Sequence, residues 1–442
     1  MLVVSLVSIR LNVCPDFNVF TRIIEGELID VDHSIYSSLD DARRVFLEEA
    51  SRRRVYGFCT GLGSLYDVKG ECSPHWEYKV LLEHAVGSGS KAPPDVVKLF
   101  LFIRVLQASR GRDPIRGVVL KRIVDALNNG IIPLVPLRGS LGASGDLVPS
   151  AHAFLCLYYG EGEALYRGSI VSCFKALTSS GLDVLSLEPG EALILINNTS
   201  WSTALLVHAM IRLEDLMKKS LRVARRSLEI CRCTSEHYEP TIGLIKEHNG
   251  IRRVLELLGT PNCGSPVRLQ DPYSLRCIPQ VYGAVIDFID YAKSIASKEY
   301  CSTSTNPIVE NSKVVHSCSF YALHLALVAD SIAIGLAHIA SIIERRIAQL
   351  MRSEITGLPE FLALSSPVGV MISHYIASAL TARIKTLASP SSIHSTPVSG
   401  LQEDITPQAV ESLIKLQESI DILEELVELE NSIIEKALAL KK

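Results

Sequence analysis

The stretch Arg138-Gly139-Ser140-Leu141-Gly142-Ala143-Ser144-Gly145-Asp146 carries the residue types whose spacing most directly suggests chemistry. Glycine recurs at every third position, and a residue without a Cβ can turn through positive φ at no steric cost. The residues after it, from Leu147 to Tyr158, are predicted to form an apolar helix. A glycine-rich loop that feeds a helix N-terminus is the usual geometry of a phosphate cradle. Two features argue against that use here: no Lys follows the last Gly, and Asp146 would repel a phosphate. The alternative chemistry is covalent. If the turn forces the Gly145 amide nitrogen against the Ala143 carbonyl, the two can join. Loss of water, including the Ser144 hydroxyl, leaves a five-membered ring with an exocyclic methylidene. Such a group is an electrophile that no ordinary side chain supplies.

Gly139-Ser140-Leu141-Gly142-Ala143-Ser144-Gly145-Asp146-Leu147-Val148-Pro149-Ser150-Ala151-His152 resembles the signature of the aromatic amino-acid ammonia-lyases, the family that contains the histidine ammonia-lyases. The lead-in Asn129-Gly130-Ile131-Ile132-Pro133-Leu134-Val135-Pro136 is similar too. The resemblance implies that Ala143, Ser144 and Gly145 form a methylidene-imidazolone (MIO) and that no external cofactor is used.

Further matches are spread along the chain. Val55-Tyr56-Gly57-Phe58-Cys59-Thr60-Gly61-Leu62-Gly63 resembles the family's Tyr-Gly-x-Asn-Thr-Gly-Phe-Gly loop, with Cys59 for Asn and Leu62 for Phe. It implies Tyr56 as the catalytic tyrosine. His84 looks like the His of the Ser-His pair in histidine ammonia-lyases, with Glu83 in place of Ser. Asn197-Asn198-Thr199 resembles the Asn-Gly-Thr turn whose Asn holds substrate and prosthetic group. Gln270-Asp271-Pro272-Tyr273-Ser274-Leu275-Arg276-Cys277-Ile278-Pro279-Gln280 matches a second signature almost letter for letter. It implies Arg276 on the substrate carboxylate, a bidentate task for a planar guanidinium, with Tyr273 and Gln270 beside the prosthetic group.

The stretch His316-Ser317-Cys318-Ser319-Phe320-Tyr321 departs from the usual Ser-Gly-Gly-Asn-Phe-His but keeps Phe320 as an aromatic wall. Leu401-Gln402-Glu403-Asp404 resembles the Asn-Gln-Glu-Asp of histidine ammonia-lyases, so Glu403 is expected to meet an imidazole or move a proton.

The elements that must position these residues read as mostly helical. The expected helices run from Ser38, taken as an N-cap, to about Arg54, from Pro94 to Arg110, and from Pro114 to Asn128 with Asp113 as cap. Others span Trp201 to Cys233, Thr241 to Leu258, and Thr406-Pro407 to about Leu440. The last carries a seam of Leu413, Leu416, Ile420, Leu423, Val427 and Ile434 at three-and-four spacing. Residues 1 to about 35 read as short strands and turns. Tyr321 to Ile343 is apolar enough to imitate a membrane span, but Asp330, His324 and His338 within it favour a buried core helix.

The chain has 442 residues, of which 48% are hydrophobic and 21% charged, ample for a large core and unlike a disordered chain. A net charge of −4 gives no general attraction to nucleic acid or anionic membranes. Eleven cysteines without a secretory signal point to a reducing, cytoplasmic compartment and free thiols. Cys231-Arg232-Cys233 with His237 suggests packed cysteines rather than a metal site, and no metal is expected.

The expected fold is therefore mainly α. It has a long central helical bundle with a smaller α/β N-terminal region, divided as residues 1–112 with the tyrosine loop and 113–442 with the Ala-Ser-Gly loop. The resemblance implies a homotetramer with shared active sites that eliminates ammonia from L-histidine to give urocanate. Tyr56 would be the base, its pKa lowered from the ordinary value near 10. Another aromatic lyase, an aminomutase or a catalytically silent helical paralogue are the alternatives.

Overall fold

The computed structural model describes residues 6–364 and 367–441, so the expected start of the first strand at 1–5 lies outside the described residues. The chain forms two compact units. One contains the chain up to His208, Lys293–Leu327 and Ser391–Leu413; the other contains Ala209–Ala292, Val328–Pro390 and the chain from Ile414. Helices dominate both, and the mainly α architecture with a few short strands is as expected.

In the first unit, Leu6–Ile9 and Leu28–Val31 pair in parallel, Leu6 opposite Leu28 and Ile9 opposite Val31. Other short pairings are antiparallel: Ile132–Pro133 with Glu163–Tyr166 and Ser169–Ser172, and the hairpin Ile308–Glu310 with Lys313–Val315. The helix His33–Arg52 starts before Ser38, because Asp32 accepts the Ser34 amide and caps it. The helix Pro94–Ala108 is buried from Leu99 to its end, as befits a helix apolar on all sides.

Arg104 lies within that helix and needs a counter-charge. Asp113 supplies it at 2.6 Å, both side chains being buried. Asp113 therefore does not cap the next helix. That helix begins at Gly117 instead, whose amide is held by Asp40. Pairing a buried cation outweighs capping, since an unpaired buried charge costs about 3–5 kcal/mol against about 1 kcal/mol for a cap.

The second unit is built on Ala209–Ile230 of the helix Ser200–Ile230, with the helices Asn249–Leu258 and Met371–Leu387 and the larger parts of Ile278–Tyr300, Leu323–Leu350 and Ala409–Lys441. Glu430 is buried and accepts from Arg346 at 2.7 and 2.8 Å and from the Ser227 hydroxyl at 2.6 Å. The seam residues Leu413 to Ile434 are buried within the chain. The single helix expected at 241–258 is two, Thr241–Lys246 and Asn249–Leu258, because Glu247 takes a left-handed conformation at φ +59°. Among the described residues one helix, Leu323–Leu350, has the length and apolarity to cross a membrane, and just over half of its most apolar window is buried.

The free-thiol expectation is overturned. Cys14–Cys301, Cys59–Cys72, Cys156–Cys173 and Cys233–Cys263 are disulfides, and Cys231, Cys277 and Cys318 are free. Composition gives a count of cysteines but not which of them the fold brings to bonding distance. No cluster of metal ligands occurs among the described residues, and Cys233 is engaged with Cys263.

Candidate active site

The Gly-rich loop is held by its own backbone. Gly139, Gly142 and Gly145 all have positive φ. The Gly142 carbonyl accepts the Ala322 amide at 2.9 Å and the Leu141 carbonyl accepts the Ala409 amide at 3.0 Å. At Gly145 a Cβ would lie 2.5 Å from the Asn198 nitrogen and 2.7 Å from its oxygen, so no larger residue fits. The next residue locks the loop to a helix. Asp146 is fully buried, its amide donates to the Asn198 carbonyl at 2.7 Å, and its carboxylate accepts the Ser202 amide and hydroxyl and the Ser140 hydroxyl. It thus sits at the N-terminus of Ser200–Ile230, where the helix dipole favours negative charge. Burial pushes its carboxyl up to about 6, against the pull of the Ser202 and Ser140 hydrogen bonds.

Two side chains hold Ser144. Its hydroxyl donates to Glu403 Oε1 at 2.7 Å, and its carbonyl accepts from Asn197 Nδ2 at 2.6 Å. Asn197 Oδ1 is buried with no hydrogen-bond partner, an acceptor waiting for a donor. Asn197 ends the short helix Glu191–Ile196, whose first turn is gripped from below: Glu77 accepts the Gly190 amide at 2.9 Å and the Ala192 amide at 2.8 Å. Glu403 is presented by the turn that pairs it with Val398.

Tyr56 is half-buried in the same unit. Its phenol oxygen accepts the Gly63 amide at 2.9 Å and its own amide donates to His316 Nε2 at 3.2 Å. The loop meets the Glu403 turn, for the Ser64 amide donates to Ser399 Oγ at 3.3 Å. Cys59 is tied to Cys72. The expected lowering of the Tyr56 pKa is not found in the single chain. Burial raises it, the Gly63 amide pulls it down, and the nearby Glu403 charge adds to the rise.

His84 ends the helix Pro74–His84 with Nδ1 on the Val80 carbonyl at 2.6 Å, which leaves Nε2 available as an acceptor. Glu83 is exposed and Phe320 half-buried. Gln270, Tyr273 and Arg276 belong to the second unit. There the Arg276 guanidinium donates to Gln270 Oε1 and lies 6.0 Å from the Tyr273 ring centroid, and Tyr273 is 73% exposed. The structure thus brings Ser144, Asn197 and Glu403 into direct contact, sets Tyr56 in the neighbouring loop, and groups Gln270, Tyr273 and Arg276 with one another. Sequence reasoning missed Glu77 and the anchoring of Asp146 on Ser202. Both depend on partners dozens of residues away and carry no local signal.

The model of the aromatic amino acid lyase family matches residues 17–442. A probable histidine ammonia-lyase of Thermoplasma acidophilum is 33% identical over 425 residues, which cover 93% of this chain and 86% of that one. The histidine ammonia-lyase of Vibrio cholerae is 35% identical over 386 residues, 83% of this chain and 74% of that one. Among solved structures, histidine ammonia-lyase from Trypanosoma cruzi superposes with a TM-score of 0.87 at 26% identity, with 99% of this chain and 85% of that one covered.

Proposed function

Because the chain belongs to the aromatic amino acid lyase family, we propose that it is a histidine ammonia-lyase, converting L-histidine to urocanate and ammonia. The observation that carries this reading is the hold on Ala143-Ser144-Gly145: Asn197 on the Ser144 carbonyl and Glu403 on its hydroxyl. These residues fit a methylidene-imidazolone. Gly145 has no room for a Cβ, the Ser144 hydroxyl already has a polar partner, and Asn197 Oδ1 is buried without a donor. When formed, that group supplies an electrophile for the substrate amine.

The chain's own residues do the remainder. Arg276 holds the substrate carboxylate through two parallel hydrogen bonds, with Tyr273 and Gln270 beside it. Asn197 and Phe320 line the centre. Glu403 accepts an imidazole N–H, and His84 Nε2 accepts the second N–H that the ring carries in its cationic form. Tyr56 removes the β-proton as general base. Its raised pKa leaves little phenolate at neutral pH, so turnover rises toward alkaline pH.

Exposed Tyr273, with Arg276 beside it, suits completion of the site by partner subunits in a homotetramer. Light scattering that finds only monomer at micromolar concentration would count against this assembly. The division at residue 112 into a tyrosine-loop region and a helical core, and a cytoplasmic location without nucleic-acid or membrane partners, belong to the same proposal; that location no longer rests on free thiols and requires the four disulfides to resist the reducing thiol pool. The direct test incubates pure protein with histidine, phenylalanine and tyrosine and follows the unsaturated acids by ultraviolet absorbance. Urocanate is expected, and no product from any of the three would sink the reading.

A further inference from the structure

The Tyr56 turn has three backbone amides, each with a different partner. Phe58 donates to the Val55 carbonyl and Gly57 to the Thr60 hydroxyl, both local. The Tyr56 amide donates to a side chain 260 residues away, Nε2 of His316. His316 follows the hairpin strand Lys313–Val315, and the chain is fixed on both sides of it. The Val314 carbonyl accepts Arg53 Nη2 at 2.8 Å, and the Ser317 amide donates to Asn306 Oδ1 at 2.9 Å. The ring is thus delivered to the root of the tyrosine loop by a segment with little freedom to move.

We propose that His316 is a positioning residue for the tyrosine base: the lone pair on its Nε2 holds the Tyr56 amide and thereby sets where the phenol stands. The inference rests on Tyr56 taking the β-proton. An acceptor at Nε2 puts the ring proton on Nδ1. A second proton would fill the lone pair, turn Nε2 into a donor facing an N–H, and break the contact.

The charged and titratable groups on the elements packed there are Glu49, Arg52 and Arg53 at the end of the helix His33–Arg52, Arg54 and Tyr56 of the loop, and Glu310 and Lys313 of the hairpin. Arg53 is paired with Glu49, Arg54 with Asp67 and Glu310 with Arg112. Desolvation and the like charge of Arg53 both lower the His316 pKa from the ordinary imidazole value, so the ring is neutral and the contact intact at neutral pH. The sign follows: the hold persists as pH rises and is lost as pH falls through the ring's titration.

Two variants separate this role from a merely structural one. Gln in place of His316 keeps an acceptor at nearly the Nε2 distance but cannot titrate, whereas Phe keeps the ring and removes the acceptor. His316→Phe is expected to lower kcat for histidine by roughly ten- to hundredfold, the range for a displaced catalytic group, with KM little changed. His316→Gln is expected to recover most of that loss at pH 8. The ratio of wild-type to Gln kcat should be constant above the imidazole range and fall below it, a comparison that cancels the ionisation of Tyr56 itself. Hydrogen exchange reads the bond without turnover. The Tyr56 amide should be protected in wild type and in the Gln variant and exchange faster in the Phe variant.

A Phe variant with wild-type kcat and a protected Tyr56 amide would overturn the proposal, as would a kcat ratio flat with pH. If His316→Phe does not fold, the Gln ratio and the wild-type exchange rates at pH 5 and 8, corrected for intrinsic exchange, still decide it. If wild type releases no urocanate, the histidine ammonia-lyase reading fails, while the exchange data still judge the hold of His316 on Tyr56.

Discussion

The Ser144 hydroxyl donates to Glu403 Oε1 at 2.7 Å across 259 residues of sequence. The same carboxylate that would meet a substrate imidazole is therefore already on the atom that must leave if Ala143-Ser144-Gly145 cyclises. Once that hydroxyl is gone, Glu403 loses this donor and is free to accept another.

The first expectation is a mass. Under reducing conditions, which remove the contribution of the disulfides, active protein should weigh less than its sequence by two waters. Ser144→Ala has no hydroxyl to lose, so it should lose at most one water and show no turnover. An unmodified mass in a folded, active sample would rule out the prosthetic group.

Substrate choice follows from the polar groups. Glu403 and the free Nε2 of His84 can each pair with an imidazole, but phenylalanine offers neither a partner. Burying each group unpaired costs on the order of 1–3 kcal/mol, or roughly ten- to hundredfold in selectivity. Histidine should be preferred to phenylalanine, and Glu403→Gln should reduce histidine turnover far more than any phenylalanine turnover. Faster release of cinnamate than of urocanate at equal substrate concentration would assign another aromatic substrate.

The residues that carry chemistry were legible because they sit in short contiguous motifs, where spacing alone constrains the backbone. Gly145 could be read from the Ala-Ser-Gly triplet, and its lack of room for a Cβ beside Asn198 agrees with it. The long helices were legible from apolar periodicity, as at Ser200–Ile230 and Ala409–Lys441. Pairings across the chain were not. Asp113 has the local look of a cap, but the buried charge of Arg104 claims it. Ser38 lost the capping role to Asp32 for a local reason, the Asp32 carboxylate reaching the Ser34 amide. The cysteine pairs, the fit of Glu77 to residues 190 and 192, and the contact of His316 with Tyr56 are all fixed by tertiary packing that no window of sequence contains.

Cysteine chemistry gives a direct count. Labelling in denaturant without reductant should modify three thiols, Cys231, Cys277 and Cys318, and all eleven after reduction. Cys14–Cys301 closes a span of 287 residues, worth on the order of 5 kcal/mol in the chain-entropy model. Loss of that one bridge, as in Cys301→Ser, should therefore lower Tm by about 5 °C, given an unfolding entropy of roughly 2.1 cal/mol/K per residue, and reduction of all four by about three times as much. Eleven reactive thiols before reduction would show that the chain is a reduced protein.

Glu77 makes stability depend on pH through the floor of the site. Its carboxylate is buried against the start of the helix that ends at Asn197, and burial pushes its pKa up to about 7 from 4.5 despite the Gly190 and Ala192 amides. Arg43 pulls the value down and Glu191 pushes it up. A carboxyl whose pKa is raised by folding binds protons more tightly in the native state. Its contribution to stability is therefore most favourable near pH 4.5, falls as pH rises toward 7, and is level above that. The full swing is up to about 3 kcal/mol for a shift of this size. In Glu77→Gln this component should vanish, so Tm should vary less between pH 5 and 8 than in wild type. Asp146, raised to about 6 by its own burial, leaves a smaller slope centred at lower pH. Gln at position 77, like the protonated carboxyl, offers one good acceptor oxygen to the two amides, so the variant should be close to wild type in stability at pH 5 and gain on it by pH 8. Equal slopes of Tm against pH in the two proteins would show that the Glu77 carboxylate keeps its solution pKa.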